Sequence, residues 1–415
     1  MLEWLIVGGG LHGTHLSLVL RDAGVPEAAL RIVDPWDRPM RRWTELTTRT
    51  GMTFLRSPGV HHIGLHAYDL FRFAGRRRAR EGGHLRGRHR RPSLELFQAH
   101  AQARSSGAGL EALREPGWAR DLVRIPGGFR VETDRGGLEA RRVILALGSP
   151  PPGELPGWAR GAAAEGSPVG HLFDVDLELD ALRRQATGSG RPVAVIGGGI
   201  SAVQVALRLA REGAPVLLVA RAPLRVHPFD SDPGWLGPRH LRAFHRERSA
   251  GVRRALLDAA RHRGSMPGEV AGALRVAVER GTLEFRVGEV TAAAQGARGG
   301  LTVELSEVPE DGSPGRAWPA AHGGEPVRRR IEASAVLLAT GSGPGLPGQE
   351  WLPAAARRMG LATGPCGFPI PHPSLQWAEN LYLTGALAEL EVGPASRNIA
   401  GARMAGERIR EAAAS

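Results

Sequence analysis

Two short glycine clusters carry the first recognisable chemistry in this sequence. Gly8, Gly10 and Gly13 fit G-x-G-x-x-G, with Leu11 and His12 before the last glycine, and Asp34 stands 21 residues beyond Gly13. Glycines at this spacing let the backbone turn tightly and approach a pyrophosphate, and an acid about 20 residues on can bind a ribose hydroxyl. Gly197, Gly199 and Ala202 repeat the pattern as G-x-G-x-x-A around Ile200 and Ser201. Where an acid would follow this second cluster, the sequence has Arg221. A guanidinium pairs bidentately with phosphate, so Arg221 favours the extra 2′-phosphate of NADP over the bare ribose of NAD.

Strands and helices must hold these clusters in place. Glu3–Val7 and Leu30–Val33 read as strands around a helix that runs through Leu20, and Asp34 and Pro35 end the second strand. Pro192–Ile196 and Val216–Ala220 likewise read as strands around a helix over Val203–Arg211. A further pair of segments recurs: Val143-Ile144-Leu145-Ala146-Leu147-Gly148 and Val336-Leu337-Leu338-Ala339-Thr340-Gly341. Each is a continuous apolar run ending in glycine, as expected of a strand buried on both faces. The glycine clusters lie 189 residues apart and these strand ends 193 apart, so a whole nucleotide-binding unit is repeated.

Composition removes rival chemistries. The chain has 415 residues and contains no lysine, so all 54 basic side chains are arginine. Schiff-base, P-loop and protein-kinase lysines are therefore impossible. Cys366 is the single cysteine. That excludes a Cys-x-x-Cys redox pair, and with it a disulfide reductase, a cysteine-rich zinc site and an intrachain disulfide. No run approaches the ~18 apolar residues of a membrane span. The first twenty residues lack a basic start and are interrupted by glycines, so no signal peptide is read and the cytoplasm is the expected compartment.

The formal charge of +12 is mainly local, since nine arginines fall between Arg72 and Arg91 with Glu81 the only acid. Such a block reads as a solvated loop, a lid or an interface. Few aromatics accompany it, so a nucleic-acid partner is not expected. His62 and His66 have the i, i+4 spacing of metal ligands, but no carboxylate or cysteine completes a set near them, and no metal is expected. After Arg221 the chain departs from the strand–helix alternation, with helical stretches at about 239–263 and 268–280. Ser306–Val327, rich in Pro and Gly, reads as an exposed loop.

Two fingerprints, an acid after one, an arginine after the other, and the Ala-Leu-Gly and Ala-Thr-Gly strand ends resemble the two-dinucleotide-binding-domain flavoproteins. Within that superfamily, Leu338-Ala339-Thr340-Gly341 and the tail Leu381-Tyr382-Leu383-Thr384-Gly385…Val392-Gly393-Pro394-Ala395-Ser396-Arg397-Asn398-Ile399 are similar to flavin-dependent N-hydroxylating monooxygenases of the ornithine/lysine type. Ser342 stands where a tyrosine often follows the Ala-Thr-Gly motif.

The resemblance implies an α/β fold of two Rossmann-like domains, the NAD(P)-binding one inserted into the FAD-binding one. The first part of the FAD domain is expected over 1–165, the NAD(P) domain over 190–340 with a helical insertion at about 226–282, and the second FAD part over 341–415. It places FAD on Gly8, Gly10, Leu11, His12, Gly13, Asp34, Pro35, Arg56, Val123, Gly148, Gly341, Gly385, Pro394, Ala395 and Asn398. It places NADPH on Gly197, Gly199, Ile200, Ser201, Ala202 and Arg221. A helix over Ala395–Glu411 would offer its free N–H groups to the anionic edge of reduced flavin. The implied reaction passes hydride from NADPH to FAD. O₂ then adds at the flavin C4a to give a hydroperoxide that oxygenates a small amine or sulfur nucleophile. An NAD(P)H-dependent flavin reductase and a non-catalytic flavin-binding protein remain as alternatives. The resemblance assigns no catalytic side chain, substrate identity or oligomeric state.

Overall fold

The computed structural model describes residues 1–78, 83–296, 299–307 and 327–413. The apolar runs form the centres of two sheets. Trp4–Val7 and Val143–Leu145 are almost completely buried, as are Val193–Val195 and Val336–Leu338, so these strands are covered on both faces and must be parallel inner strands. In the first sheet the order is Gln376–Ala378, Leu381–Leu383, Gly136–Leu145, Leu2–Val7, Leu30–Asp34, Arg114–Pro116, and the hairpin Ala119–Ile125/Gly128–Thr133 extends from Gly136–Leu145. In the second the order is Val327–Ala333, Leu301–Glu307, Glu284–Gln295, Val216–Ala220, Val193–Ile196, Ala335–Leu338, Val169–His171. Late in the chain, Leu381–Leu383 pairs in parallel with Val143–Leu145, and the helix Ile399–Ala413 packs against Leu11–Asp22. The chain thus begins and ends in the first sheet. No described helix is long and apolar enough to cross a membrane.

The two units match down to single hydrogen bonds. Gly8 N–H donates to Val33 O at 2.8 Å and Ala146 N–H to Val7 O at 2.8 Å. At the same places in the second unit, Gly197 N–H donates to Val219 O at 2.9 Å and Ala339 N–H to Ile196 O at 2.8 Å. Both glycines have positive φ, +108° and +153°. A Cβ on Gly8 would stand 2.3 Å from Ala146 O, and one on Gly197 would stand 2.4 Å from Ala339 O. Only glycine fits where the turn presses on the neighbouring strand end.

Several boundaries differ from those expected. The passage out of the first unit comes before residue 165: Leu155, Trp158, Ala159 and Ala162 already pack on Ala194, Leu217 and Val219 of the second sheet. The helix Gly268–Glu279 is no insertion, because its Ala271 and Leu274 share a core with Val203 and Leu209 of the helix Ile200–Arg211. The true excursion is closed off by pairing of Arg225–Val226 with Ser265–Met266. Its Leu241, Phe244 and Leu257 pack on Phe368 and Leu390, back toward the first unit. The tail helix starts at Ile399. A short 3₁₀ turn, Pro394–Arg397, precedes it, and Asn398 Oδ1 caps it by accepting from Gly401 N–H at 3.2 Å. The arginine block is partly ordered as the helix Asp69–Arg78 and the pair Leu85–Arg86/Arg91–Pro92, with Arg91 bound to Glu269. Arg80, Glu81 and most of 306–327 lie outside the described residues.

Two ionic clamps join the excursion to the first unit. Arg56 donates to the carbonyls of His227 (2.8 Å) and Phe229 (2.7 Å), and to Asp230 Oδ1 (2.5 Å) and Ser265 Oγ (2.9 Å). Glu389, fully buried, accepts from Arg397 Nε at 2.8 Å and pairs with Arg254 Nη1 at 2.6 Å and with Arg261 Nη2. Burial raises the Glu389 pKa, but the hydrogen bonds and charge of Arg397, Arg261 and Arg254 outweigh it and hold the carboxyl at about 2. Because the folded value lies below the ordinary 4.5, this stabilisation is fully present above that pH and is lost as pH falls toward 2. Removing one partner of such a buried group costs about 3–5 kcal/mol. Urea unfolding is therefore expected to show Glu389→Gln destabilised by that order near neutral pH, with the gap closing in acid. A gap that stays constant into strong acid would show that Glu389 is not ionised in the fold.

Candidate functional site

The first glycine turn is built on its own strand ends. A Cβ on Gly13 would lie 1.8 Å from Gly8 O, whereas one on Gly10 would meet no atom within 4 Å. Gly10 precedes the helix Leu11–Asp22 with no side-chain cap, so Leu11 and His12 begin a helix whose first N–H groups are free of intrahelical partners. Asp34 is buried, and its carboxylate accepts from Gly9 N–H and from Trp36 N–H at 3.0 Å, with Arg114 Nη2 3.5 Å away. Burial raises its pKa, against the lowering effect of these donors. Pro35 follows directly.

Around this turn the structure gathers residues from distant parts of the chain. His12 is buried, and its Nδ1 lies 2.7 Å from Thr384 Oγ1. Burial lowers its pKa to about 4, with the Asn398 backbone acting in the opposite sense, so His12 is neutral near pH 7. Gly385 sits beside both His12 and Gly148 O. Gly8, Gly10, Gly13, His12, Asp34, Gly148, Gly385 and Asn398 thus form one neighbourhood, with Ala395 buried beneath it against the tail helix.

The second turn opens on a cleft of about 1210 Å³. Gly197, Gly199, Ile200, Ser201, Arg221 and Gly341 line it, together with Pro394 and Asn398 from the first unit. Ala202 is buried below the turn, where a Cβ on Gly197 would approach its own at 3.1 Å. Gly199, like Gly10, starts a helix without a side-chain cap. Arg221 is exposed on the cleft wall and makes no hydrogen bond or ion pair among the described residues. Asn398 links the cleft to the first turn.

Two expected contacts, Val123 and Arg56, are placed differently from the rest. Val123 pairs with Arg130, which pairs with Glu139, next to the Ala140–Leu2 register. That is the end of Leu2–Val7 opposite the glycine turn, which sets Val123 apart from the residues gathered there. Arg56 borders the cleft, but its guanidinium is engaged by the excursion, which makes it a brace. His62 and His66 do not share a helix. His62 instead meets Asp69 and His100, with potential ligand atoms within 4.8 Å of one another. Hydrogen bonds already occupy this set: His100 Nε2 to Asp69 at 3.0 Å, Arg104 to Asp69 at 2.5 Å, and His62 to Gly64 N–H and Ala67 O, both at 3.1 Å. The set is a polar core bracing the 62–69 loop.

Sequence reasoning missed the arginines Arg254, Arg261 and Arg397 that line the cleft around Glu389. The usable signal was Glu389 and Glu391 inside the otherwise apolar run from Leu381 to Val392, since acids in a buried segment need cationic partners.

No protein-family model and no curated protein matches the sequence. Solved structures do match in fold. An ornithine N-hydroxylase of Kutzneria sp. 744, solved with reduced FAD, NADP+ and L-ornithine, is 15% identical, with 100% of this chain and 99% of that one covered at a TM-score of 0.71. An L-lysine 6-monooxygenase of Pseudomonas syringae is 18% identical over 100% and 99% of the chains, TM-score 0.69. A bacillithiol disulfide reductase of Bacillus cereus is 16% identical over 99% and 98%, TM-score 0.59. The chain therefore shares the two-unit α/β fold of these proteins, oxygenases and reductase alike.

Proposed function

We infer that the chain is a FAD- and NADPH-dependent oxidoreductase, and within that class a monooxygenase acting on a small amine or sulfur nucleophile in the cytoplasm. The observation that carries this reading is the matched pair of glycine turns, one followed by Asp34 and the other by Arg221, with a single cleft running from the second turn to Pro394 and Asn398 of the first unit. When bound, FAD would accept hydride from NADPH and activate O₂, so the chemistry belongs to the cofactor and the protein positions and desolvates it.

The residues fit both groups. The open space at Gly10 suits a pyrophosphate at the first helix start, and Gly199 begins the second helix likewise uncapped, on the cleft. Asp34 suits a ribose hydroxyl, and Arg221 a 2′-phosphate. Pro394–Asn398 brings a helix start to the cleft, which favours negative charge on a reduced flavin. His12, buried and neutral beside the first glycine turn, is placed to meet the first cofactor. The disulfide reductase likeness keeps a second reading in view, that of an NADPH-dependent reductase. With Cys366 alone, this chain has no dithiol relay of its own.

Three measurements test the reading. Gly10→Ala should fold with wild-type stability but lose bound flavin, whereas Gly8→Ala should lower stability outright. Flavin retained by folded Gly10→Ala would remove the first turn from the site. Arg221→Ala should weaken NADPH use by about ten-fold or more while sparing NADH, given the strength of charge-assisted hydrogen bonds; equal effects on both would place the 2′-phosphate elsewhere. Under O₂ with a panel of small amines and sulfides, NADPH consumption should couple to an oxygenated product. Stoichiometric hydrogen peroxide with every compound would favour the reductase.

A further inference from the structure

The two units match at their strand ends, and at one place they differ in chemistry. In the first unit Leu145 lies between Val7 and Leu383, and Leu147 follows two residues on. In the second, Leu338 lies between Ile196 and His171, and Thr340 follows two residues on. Where the first unit has the leucines 147 and 383, the second therefore has Thr340 and His171. The first unit builds this place from apolar side chains, so the fold does not require a polar pair there. His171 is nonetheless only 2% exposed, and burying an imidazole costs free energy that hydrogen bonds must offset.

The bonds around His171 fix its hydrogen. Phe173 N–H donates to His171 Nδ1 at 3.0 Å, so Nδ1 carries a lone pair. Burial lowers the pKa of the ring, with Asp174 opposing, and a neutral imidazole that accepts at Nδ1 carries its hydrogen on Nε2. Nε2 lies 3.3 Å from Thr340 Oγ1 and donates to it. A hydroxyl that accepts this bond turns its own hydrogen away from the ring. Thr340 is exposed, lines the cleft and makes no other side-chain hydrogen bond among the described residues. Its O–H is thus a donor open to an acceptor in the cleft.

We propose that His171 is a positioning residue that sets the Thr340 hydroxyl as a hydrogen-bond donor to an oxygen on the nicotinamide half of NADPH. The proposal rests on the reading of the second glycine turn as the NADPH site. In a sheet of this order a dinucleotide spans the strand ends at the point where the order reverses, its adenosine half beside the second strand of the unit. That strand is Val216–Ala220, which leads to Arg221 on one side of Val193–Ile196. Ala335–Leu338, which leads to Thr340, lies on the other side. The adenosine and its 2′-phosphate therefore belong to Arg221. The half that reaches Thr340 carries the nicotinamide ribose and carboxamide, whose oxygens accept hydrogen bonds.

Two ligands test this on the purified full chain without turnover: NADP+, and 2′,5′-ADP, which keeps the adenosine and its phosphates but lacks the nicotinamide half. Titration calorimetry should show Thr340→Val binding NADP+ roughly five-fold more weakly than wild type, the worth of one neutral hydrogen bond. The same variant should bind 2′,5′-ADP as well as wild type does. Thr340→Ser keeps the hydroxyl and should match wild type with both ligands. His171→Phe keeps a ring in the same space and should show the Thr340→Val pattern. The double variant should be no weaker than either single one, because the two residues act through one bond. Long-range nitrogen–proton NMR of the wild-type chain covers the case in which His171→Phe fails to fold, and should find the His171 hydrogen on Nε2. An unchanged NADP+ affinity in Thr340→Val would overturn the proposal, as would an equal loss for 2′,5′-ADP, the mark of a disturbed turn. Additive losses in the double variant, or a hydrogen on Nδ1, would remove His171 from the role. A wild-type chain that binds neither ligand would contradict the NADPH reading and the proposal together, whereas ligand binding indifferent to Thr340 overturns the proposal and leaves that reading standing.

Discussion

The arrangement depends on one close approach made twice: a glycine turn pressed onto the carbonyl at the end of the neighbouring parallel strand. Gly8 against Ala146 O and Gly197 against Ala339 O leave no room for a side chain. Each turn is thereby held over its sheet, and the helix that follows begins with free N–H groups directed to the strand ends. Gly10 then leaves open the space that Gly8 closes, and Gly199 meets only the Gly264 backbone at 3.6 Å. The geometry that a phosphate would need at a helix start thus follows from backbone packing alone.

The second constraint is electrostatic and follows from a chain that uses arginine for every basic role. Arginine cannot shed its charge on burial, so each buried guanidinium must find acceptors. Arg56 finds them on excursion carbonyls, and Arg254, Arg261 and Arg397 converge on Glu389. The first clamp ties the excursion to the segment around Arg56 and the second ties it to the tail.

Much of the fold was legible because the repeat is written in local pattern. Val143–Gly148 and Val336–Gly341 announce buried strands by composition, and the glycine spacing fixes the turns. The helix Gly268–Glu279 was misassigned because a helix that covers a sheet and a helix in an insertion have the same periodicity. Only its packing on Val203 and Leu209 separates them. Val123 could not be placed because the strand register decides which end of a sheet a residue occupies, and register is a tertiary property. The Glu389 cluster was invisible for a related reason: its four members span residues 254 to 397, and nothing local marks them as neighbours.

The central claim is that one cleft brings a nicotinamide bound on the second unit to a flavin bound on the first. Anaerobic titration of the purified, flavin-loaded chain with NADPH tests it most directly. The account predicts bleaching of the flavin absorbance, complete near one equivalent of NADPH per flavin. A bound flavin that NADPH leaves oxidised, or a folded chain that takes up no flavin, would contradict it.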